Sequence, residues 1–362
     1  MQTYHTLVQA DSRNLDLLEA ETVDLVITSP PYPMIKMWDE LFSNLNPKIK
    51  KYLKSERSNQ AFELMHEELE KVWKETYRIL RPGGIACINI GDATRTIGKH
   101  FQLFPNHARV LEQARKIGFQ VLPGIIWRKP SNAPNKFMGS GMLPPGAYIT
   151  HEHEFILLLR KNGKREFRSP EERNKRKQSA YFWEERNQWF SDIWIDLPGT
   201  GQTLEKNNSR MRSAAFPFQL AYRLVNMFST YQDTVLDPFL GTGTTSLASL
   251  IAGRNSIGVE LDKELLQEAK QRLYEAVTLG NRIVAQRIKN HKEFVKNRSK
   301  SGFEFKYTNP YLKVPVMTSQ EQMLRFYRPI NVKSKDETTI VAKYIEMDSV
   351  GEENHSLGKK EK

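Results

Sequence analysis

Cysteine is almost absent: Cys87 stands alone, so no internal disulfide exists and a reducing compartment is expected. Long apolar runs are missing too, since the longest, "FILLL" at 155–159, is far too short to span a bilayer. The first residues, "MQTYHTLVQADSRN", lack the apolar centre of a signal peptide, and a soluble cytoplasmic protein is expected. Acidic residues are in deficit, with 42 Asp+Glu against 54 Lys+Arg and a net charge of +12. That balance favours a polyanionic partner, most often nucleic acid, without naming one. No Gly-Lys-Ser/Thr follows a glycine turn, which excludes a Walker loop. His151, Glu152, His153 and Glu154 have no second ligand pair at metal spacing and read as a polar strand start; no metal is expected.

What the 362 residues do contain is a core, at 39% hydrophobic. Short apolar runs at 6–10, 23–28, 84–90, 121–127, 154–159, 234–237 and 256–261 are predicted strands. Helical periods at 62–80, 106–118, 216–229 and 263–277 separate them. Strand and helix in alternation predict a mostly parallel, doubly wound α/β sheet of about seven strands. Cys87, in the middle of "IACINI", reads as a buried thiol rather than a nucleophile.

The stretch "TVLDPFLGTGTTSLASLIAGRNSIGVELD" (234–262) is the strongest structural signal. A strand ends at Asp237, a turn with Gly241 and Gly243 follows, then a helix of small residues and a second strand ending at Glu260. From Gly241 to Glu260 is 260 − 241 = 19 positions, the placing of an acid that holds a ribose. The nicotinamide fingerprint is incomplete, because Ser246 stands at its third glycine. A nucleoside-bearing cofactor without pyrophosphate fits better. Little sheet-forming sequence follows Glu260, so the remaining strands come from the amino-terminal half and the order is permuted.

A second signal is Ser29-Pro30-Pro31-Tyr32, directly after the strand "VDLVIT". Proline ends a sheet and stiffens a turn, and ligands of doubly wound sheets sit at the carboxyl ends of the strands. Ser29 and the Pro30 carbonyl are acceptors for an exocyclic amine, and Tyr32 offers a face on which an extruded base stacks. Such acceptors would localise the amine's delocalised lone pair, with positioning supplying most of the rate.

"TSPPY" and "DPFLGTGTT" together resemble the S-adenosylmethionine-dependent DNA amino-methyltransferases in their permuted arrangement, the beta group, over about residues 5–275. The resemblance implies an S-adenosylmethionine methyltransferase fold, double-stranded DNA as partner, and a companion restriction endonuclease in a restriction–modification system. It implies that Asp11 in "QADSRNL" lies near the cofactor adenine and that Glu260 in "SIGVELD" holds the ribose. Phe216 in "AAFPFQLAYRLV" would pack round the methionine part, with Asp237, Phe239, Gly241, Gly243 and Thr244 forming the cofactor turn. "IIWRKP" and "HEHEFILLLRK" match the late strands. Serine before Pro-Pro-Tyr goes with cytosine N4 as target; adenine N6 is the alternative within the class, and a non-catalytic DNA-binding protein or an RNA substrate lies outside it.

The expected organisation is a substrate-side half at 1–130, late strands with candidate target-recognition insertions at 131–210, and a cofactor half at 211–280. A basic extension at 281–347, with possible DNA contact, and a solvated tail at 348–362 complete it. Three segments are candidates for DNA contact. They are the basic run 160–178 with the aromatics that follow, the loop 131–147, and the basic C-terminal region. Asp92 either lines the site or caps a loop, and Arg128 and Lys129 are phosphate contacts or solvated charges.

Overall fold

The apolar runs become strands covered on both faces, as their near-continuous burial requires. The structure, a computed structural model, describes residues 1–129, 138–199 and 216–347. The expected tail at 348–362 and the first part of the loop 131–147 lie outside the described residues.

In chain order come β1 (Gln2–Gln9), β2 (Val23–Thr28), α1 (Asp39–Leu45), α2 (Pro47–Lys54), α3 (Ser58–Ile79) and β3 (Leu80–Ile90). A hairpin of β4 (Ala93–Ile97) and β5 (His100–Phe104) leads to α4 (Asn106–Ile117), β6 (Gln120–Arg128), the short pair β7 (Met138–Gly139) and β8 (Ala147–Tyr148), and β9 (His153–Arg160). Next are α5 (Pro170–Gln178), α6 (Trp183–Trp189), β10 (Ile193–Trp194), α7 (Phe218–Phe228), β11 (Thr234–Asp237), α8 (Thr244–Ile251) and β12 (Asn255–Glu260). The chain closes with α9 (Lys263–Leu273), α10 (Ala276–Lys300), β13 (Tyr307–Asn309), β14 (Val314–Val316), β15 (Tyr327–Ser334) and β16 (Thr339–Glu346).

The main sheet has the order β10-β6-β9-β3-β2-β11-β12-β1-β16-β15. Its middle is the seven strands read from the sequence, without interruption. Five of them, β3-β2-β11-β12-β1, run parallel. Beside them β9 lies antiparallel between β3 and β6. The sheet has ten strands rather than seven because both edges are extended. The "TTIVAKYIEM" segment pairs antiparallel with β1, covering a row of backbone groups that would otherwise stand open. The two residues of β10 are too few to show a period in sequence.

Alternation assigns each strand residue to one of two cores. Leu25, Ile27, Cys87, Trp127 and Leu158 pack with α7, α8 and α10 on one face. Val26, Ala86, Ile88, Leu157 and Leu236 pack with α3 and α4 on the other. Cys87 is buried and burial pushes its thiol up, as fits a packing residue. A third, smaller cluster gathers Phe182, Val284, Leu312, Val314 and Phe326.

The basic region after α9, poorly periodic to the eye, is the long helix α10. Its buried positions Ala276, Gly280, Ile283, Val284 and His291 keep helical spacing. Pro329 passes so close to Gly280 that a Cβ there would meet it at 2.8 Å. Arg287 of this region faces inward, donating to both Glu185 oxygens at 2.6 and 2.7 Å. His291 stacks on Phe182 at 3.7 Å. Arg287 and His291 hold the third cluster together, while Lys289, Lys292, Lys296 and Lys300 of the same helix are exposed. Among the described residues, no helix is long and apolar enough to cross a membrane.

Candidate active site

The carboxyl ends of β1, β2, β3, β11 and β12 open onto one cavity of about 880 Å³, the size of a cofactor pocket. Ser29, Pro30, Pro31 and Tyr32 line it from the end of β2. Asp11, Phe216, Phe239, Gly241 and Glu260 line it from the other side. Segments some two hundred positions apart in sequence therefore share one crevice. The other three residues expected at the cofactor, Asp237, Gly243 and Thr244, are not in its lining and stand behind it.

On the Glu260 side the backbone is arranged round a carboxylate. Gly241 N–H donates to Glu260 Oε2 at 2.8 Å, while Leu261 and Asp262 N–H donate to Oε1 at 2.9 and 3.0 Å. Each carboxylate oxygen has about two acceptor directions, so Oε2 keeps one for a ligand hydroxyl. Gly241 has φ +52°, and a Cβ there would meet nothing nearer than Phe239 O at 4.0 Å, leaving the turn accessible. Gly243 has φ +78° and lies so close to α9 that a Cβ would meet Ala269 Cβ at 2.8 Å. Its part is close packing. Thr244 begins α8 and its hydroxyl accepts from Arg272 at 3.3 Å.

Asp11 is clasped by Arg13, whose Nη2 donates to Oδ2 at 2.7 Å and whose Nη1 reaches Glu68 at 2.6 Å. Partial burial pushes the Asp11 carboxyl up, but the Arg13 bonds outweigh it and hold it below its ordinary value. A carboxylate charged at neutral pH faces the cavity.

Asp237 is buried and ties the two halves of the site. Its Oδ1 accepts from Thr28 Oγ1 at 2.7 Å and from Phe239 N–H at 3.0 Å. Burial pushes its carboxyl up to about 6, with those donors acting against the rise.

On the Ser29 side lies a polar cluster that sequence reasoning missed. Ser29 Oγ is 3.0 Å from Tyr32 Oη, and Tyr32 donates to Glu154 Oε2 at 2.9 Å. Asn89 Nδ2 donates to both Tyr32 Oη and Glu154 Oε2, at 2.8 and 2.7 Å. Lys129, instead of standing in solvent, donates to Glu154 Oε1 and lies over the Trp127 ring at 4.7 Å. Asn89 Oδ1 is buried without a partner among the described residues. Gly91 gives the cluster room, since a Cβ there would meet Tyr32 at 3.0 Å and Glu154 at 3.2 Å. One signal was available in sequence: Glu154 opens a strand that is otherwise apolar. Asp92 also lines the cavity and accepts from the N–H of His107 at 3.0 Å, near the start of α4. The sequence left lining the site and capping a loop as alternatives; here the carboxylate lines the cavity and caps the first turn of α4.

The profile of the DNA methylase family matches residues 23–271. The chain is 55% identical over 334 residues to the Type II methyltransferase M.MthZI of Methanothermobacter thermautotrophicus, covering 92% of this chain and 93% of that one. It is 52% identical over 274 residues to the Type II methyltransferase M.MjaI of Methanocaldococcus jannaschii, covering 73% and 89%. Among solved structures it is similar to a putative DNA modification methylase of Thermus thermophilus complexed with S-adenosyl-L-methionine. There the identity is 35% and the TM-score 0.58, over 75% of this chain and 96% of that one.

Asp237 makes stability depend on pH. Between its ordinary 3.8 and about 6 the folded protein holds a proton that the unfolded chain has lost, so stability falls as pH rises through that window. The displacement corresponds to roughly 3 kcal/mol at most. Asp237→Asn keeps the acceptor for Thr28 and removes the titration. Urea midpoints from pH 4 to 6.5 are expected to fall in the wild type relative to the variant; parallel curves would contradict the assignment.

Proposed function

The chain belongs to the DNA methylase family, and from that premise we propose that it transfers a methyl group from S-adenosylmethionine to the exocyclic N4 amine of a cytosine extruded from duplex DNA. The observation that carries this reading is the shared cavity, with Ser29 and Tyr32 on one wall and Gly241 and Glu260 on the other. S-adenosylmethionine is the cofactor. The donor set suits it: Glu260 Oε2 for the ribose hydroxyls, and the aromatic rings of Phe239 and Phe216 for its less polar parts. When bound, it supplies an electrophilic sulfonium methyl.

The chain's own residues prepare the amine. Ser29 Oγ and the Pro30 carbonyl accept its two N–H groups, drawing the nitrogen toward tetrahedral geometry and localising its lone pair. Tyr32 supports the extruded base. Hydrogen-bond polarity explains why Ser29 acts as an acceptor. Glu154, ion-paired with Lys129, only accepts. Tyr32 must therefore donate to it, and burial beside that carboxylate keeps the phenol protonated. Tyr32 Oη in turn accepts from Ser29, which turns the serine lone pairs toward the cavity. When the amine becomes a methylated amine it sheds one proton, and Ser29 Oγ, Tyr32 Oη and Glu154 form a path for it.

Type II relatives suggest a modification enzyme with a companion restriction endonuclease. Adenine N6 is the reading that stands beside cytosine N4, because the family profile spans both amines.

Digestion of DNA methylated in vitro followed by mass spectrometry is expected to show N4-methylcytosine; N6-methyladenine in its place would refute the choice of base. Glu154→Gln preserves shape but adds a donor that competes for the Tyr32 oxygen. It is expected to lower kcat about ten-fold or more and to alter the pH profile of kcat, with KM for the cofactor little changed. An unchanged kcat and pH profile would remove Glu154 from the path.

A further inference from the structure

The basic run 160–178 does not lie at the cavity. It sits at the other end of the sheet. Arg165 bonds both oxygens of Asp233 at 2.5 and 2.9 Å and approaches Asp24 at 3.6 Å, at the amino ends of β11 and β2. Gly83, at the start of β3, packs directly against the Arg165 backbone. The cavity lies beyond the opposite ends of the same strands, about 20 Å away at 3.3 Å per residue.

There the run forms one wall of a groove of about 1550 Å³. Arg160, Lys164, Arg173, Arg176, Lys177 and Arg186 line it, with the rings of Phe167, Tyr181 and Trp183 between them. Among the described residues its only carboxylates are Asp24, already paired with Arg81, and Glu321, which bonds the backbone of Thr318 and Trp183. Lys164, Arg173, Arg176 and Lys177 have no ion pair among the described residues.

α5 sharpens the point. Its sequence "PEERNKRKQ" contains no apolar side chain beyond its opening proline, and none of its residues is buried. A helix polar on all sides gains little from packing, and this one is held at its start by the Ser169–Glu172 capping box. Arg173, Arg176 and Lys177 fall at i, i+3 and i+4, on one face over about 6 Å of axis. Each strand of duplex DNA carries a phosphate about every 3.4 Å of axis, so the cation density matches a phosphate row. Arg165 and Arg176 stack on Phe167 at 4.8 and 4.7 Å, which fixes two guanidinium groups in the groove.

We infer that this groove is a second nucleic-acid contact, taking the phosphate backbone of a duplex segment other than the one whose base enters the cavity. The inference rests on the proposed action on duplex DNA. The two places lie at opposite edges of the sheet, and bending one stretch of 20–30 base pairs by 40–90° to reach both costs on the order of 1–6 kcal/mol, which a separate segment avoids. The groove holds a neighbouring segment, raising the local concentration of DNA and letting the enzyme pass between segments.

The test uses the full chain and the variant Arg173→Ala/Arg176→Ala/Lys177→Ala, whose positions support no core. An immobilised duplex that accepts methyl, cut to its shortest active length, is loaded with protein and offered a second, labelled duplex. Capture of the second duplex by wild type is expected, with loss of about ten-fold or more in the variant. The slope of log affinity against log salt on a long fragment is expected to be shallower by roughly 2–3. Single-turnover methyl transfer to the shortest duplex is expected to stay within about two-fold. Equal loss of transfer would overturn the inference by placing the run on the reacting duplex. Unchanged capture and slope would overturn it in favour of another occupant, such as an acidic protein surface. If no duplex accepts methyl from the wild type, the proposed function fails, while the salt slope of wild type against variant on the long fragment still judges the groove.

Discussion

A buried hydrogen bond between side chains at two strand ends joins the two halves of the site. Thr28 Oγ1 donates to Asp237 Oδ1 at 2.7 Å across 209 positions of chain. It sits where β2 and β11 pair in parallel, with Leu25 opposite Val235 and Val26 opposite Leu236. Directly beyond it each strand breaks into its functional turn. Ser29 to Tyr32 follow Thr28, and Phe239 to Gly241 follow Asp237. A carboxylate driven up to about 6 by burial is costly to keep in place, and here it positions one turn against the other. Two short turns become one crevice because the residues before them are locked together.

Much of this was legible because the sheet middle is buried on both faces. Runs such as "VDLVIT" and "TVLD" carry no competing pattern, and both matched their strands to the residue. The two turns were legible because prolines and glycines at strand ends leave few conformational choices. Where the reading stopped, packing decided. α10 keeps a helical period of buried positions, but Gly280 and His291 occupy it for reasons that lie in Pro329 and Phe182. Asp237, Gly243 and Thr244 belong to the motif yet serve from behind the wall. Spacing cannot separate a residue that touches a ligand from one that holds the backbone touching it. Glu154 read as part of a polar strand start, because only the adjacency of β9 and β3 brings it to Asn89 and Tyr32.

The same topology separates two kinds of charge. At the carboxyl edge, acids and acceptors dominate among the described residues, and Lys129 is spent on Glu154. At the amino edge, cations without ion pairs among the described residues collect round Phe167. The sheet thus sets acceptors at its carboxyl edge apart from a cluster of cations at its amino edge. Of the aromatics after the basic run, Phe182, Trp189 and Trp194 are buried in packing.

The most direct measurement of the central claim is methyl transfer in Thr28→Val, which removes the linking hydroxyl at nearly constant volume. With saturating S-adenosylmethionine and duplex DNA, single-turnover transfer should slow about ten-fold or more, as expected for misaligned reactants, while cofactor Kd changes far less. Transfer at the wild-type rate would contradict the claim, because the two turns would then hold their relation without this bond.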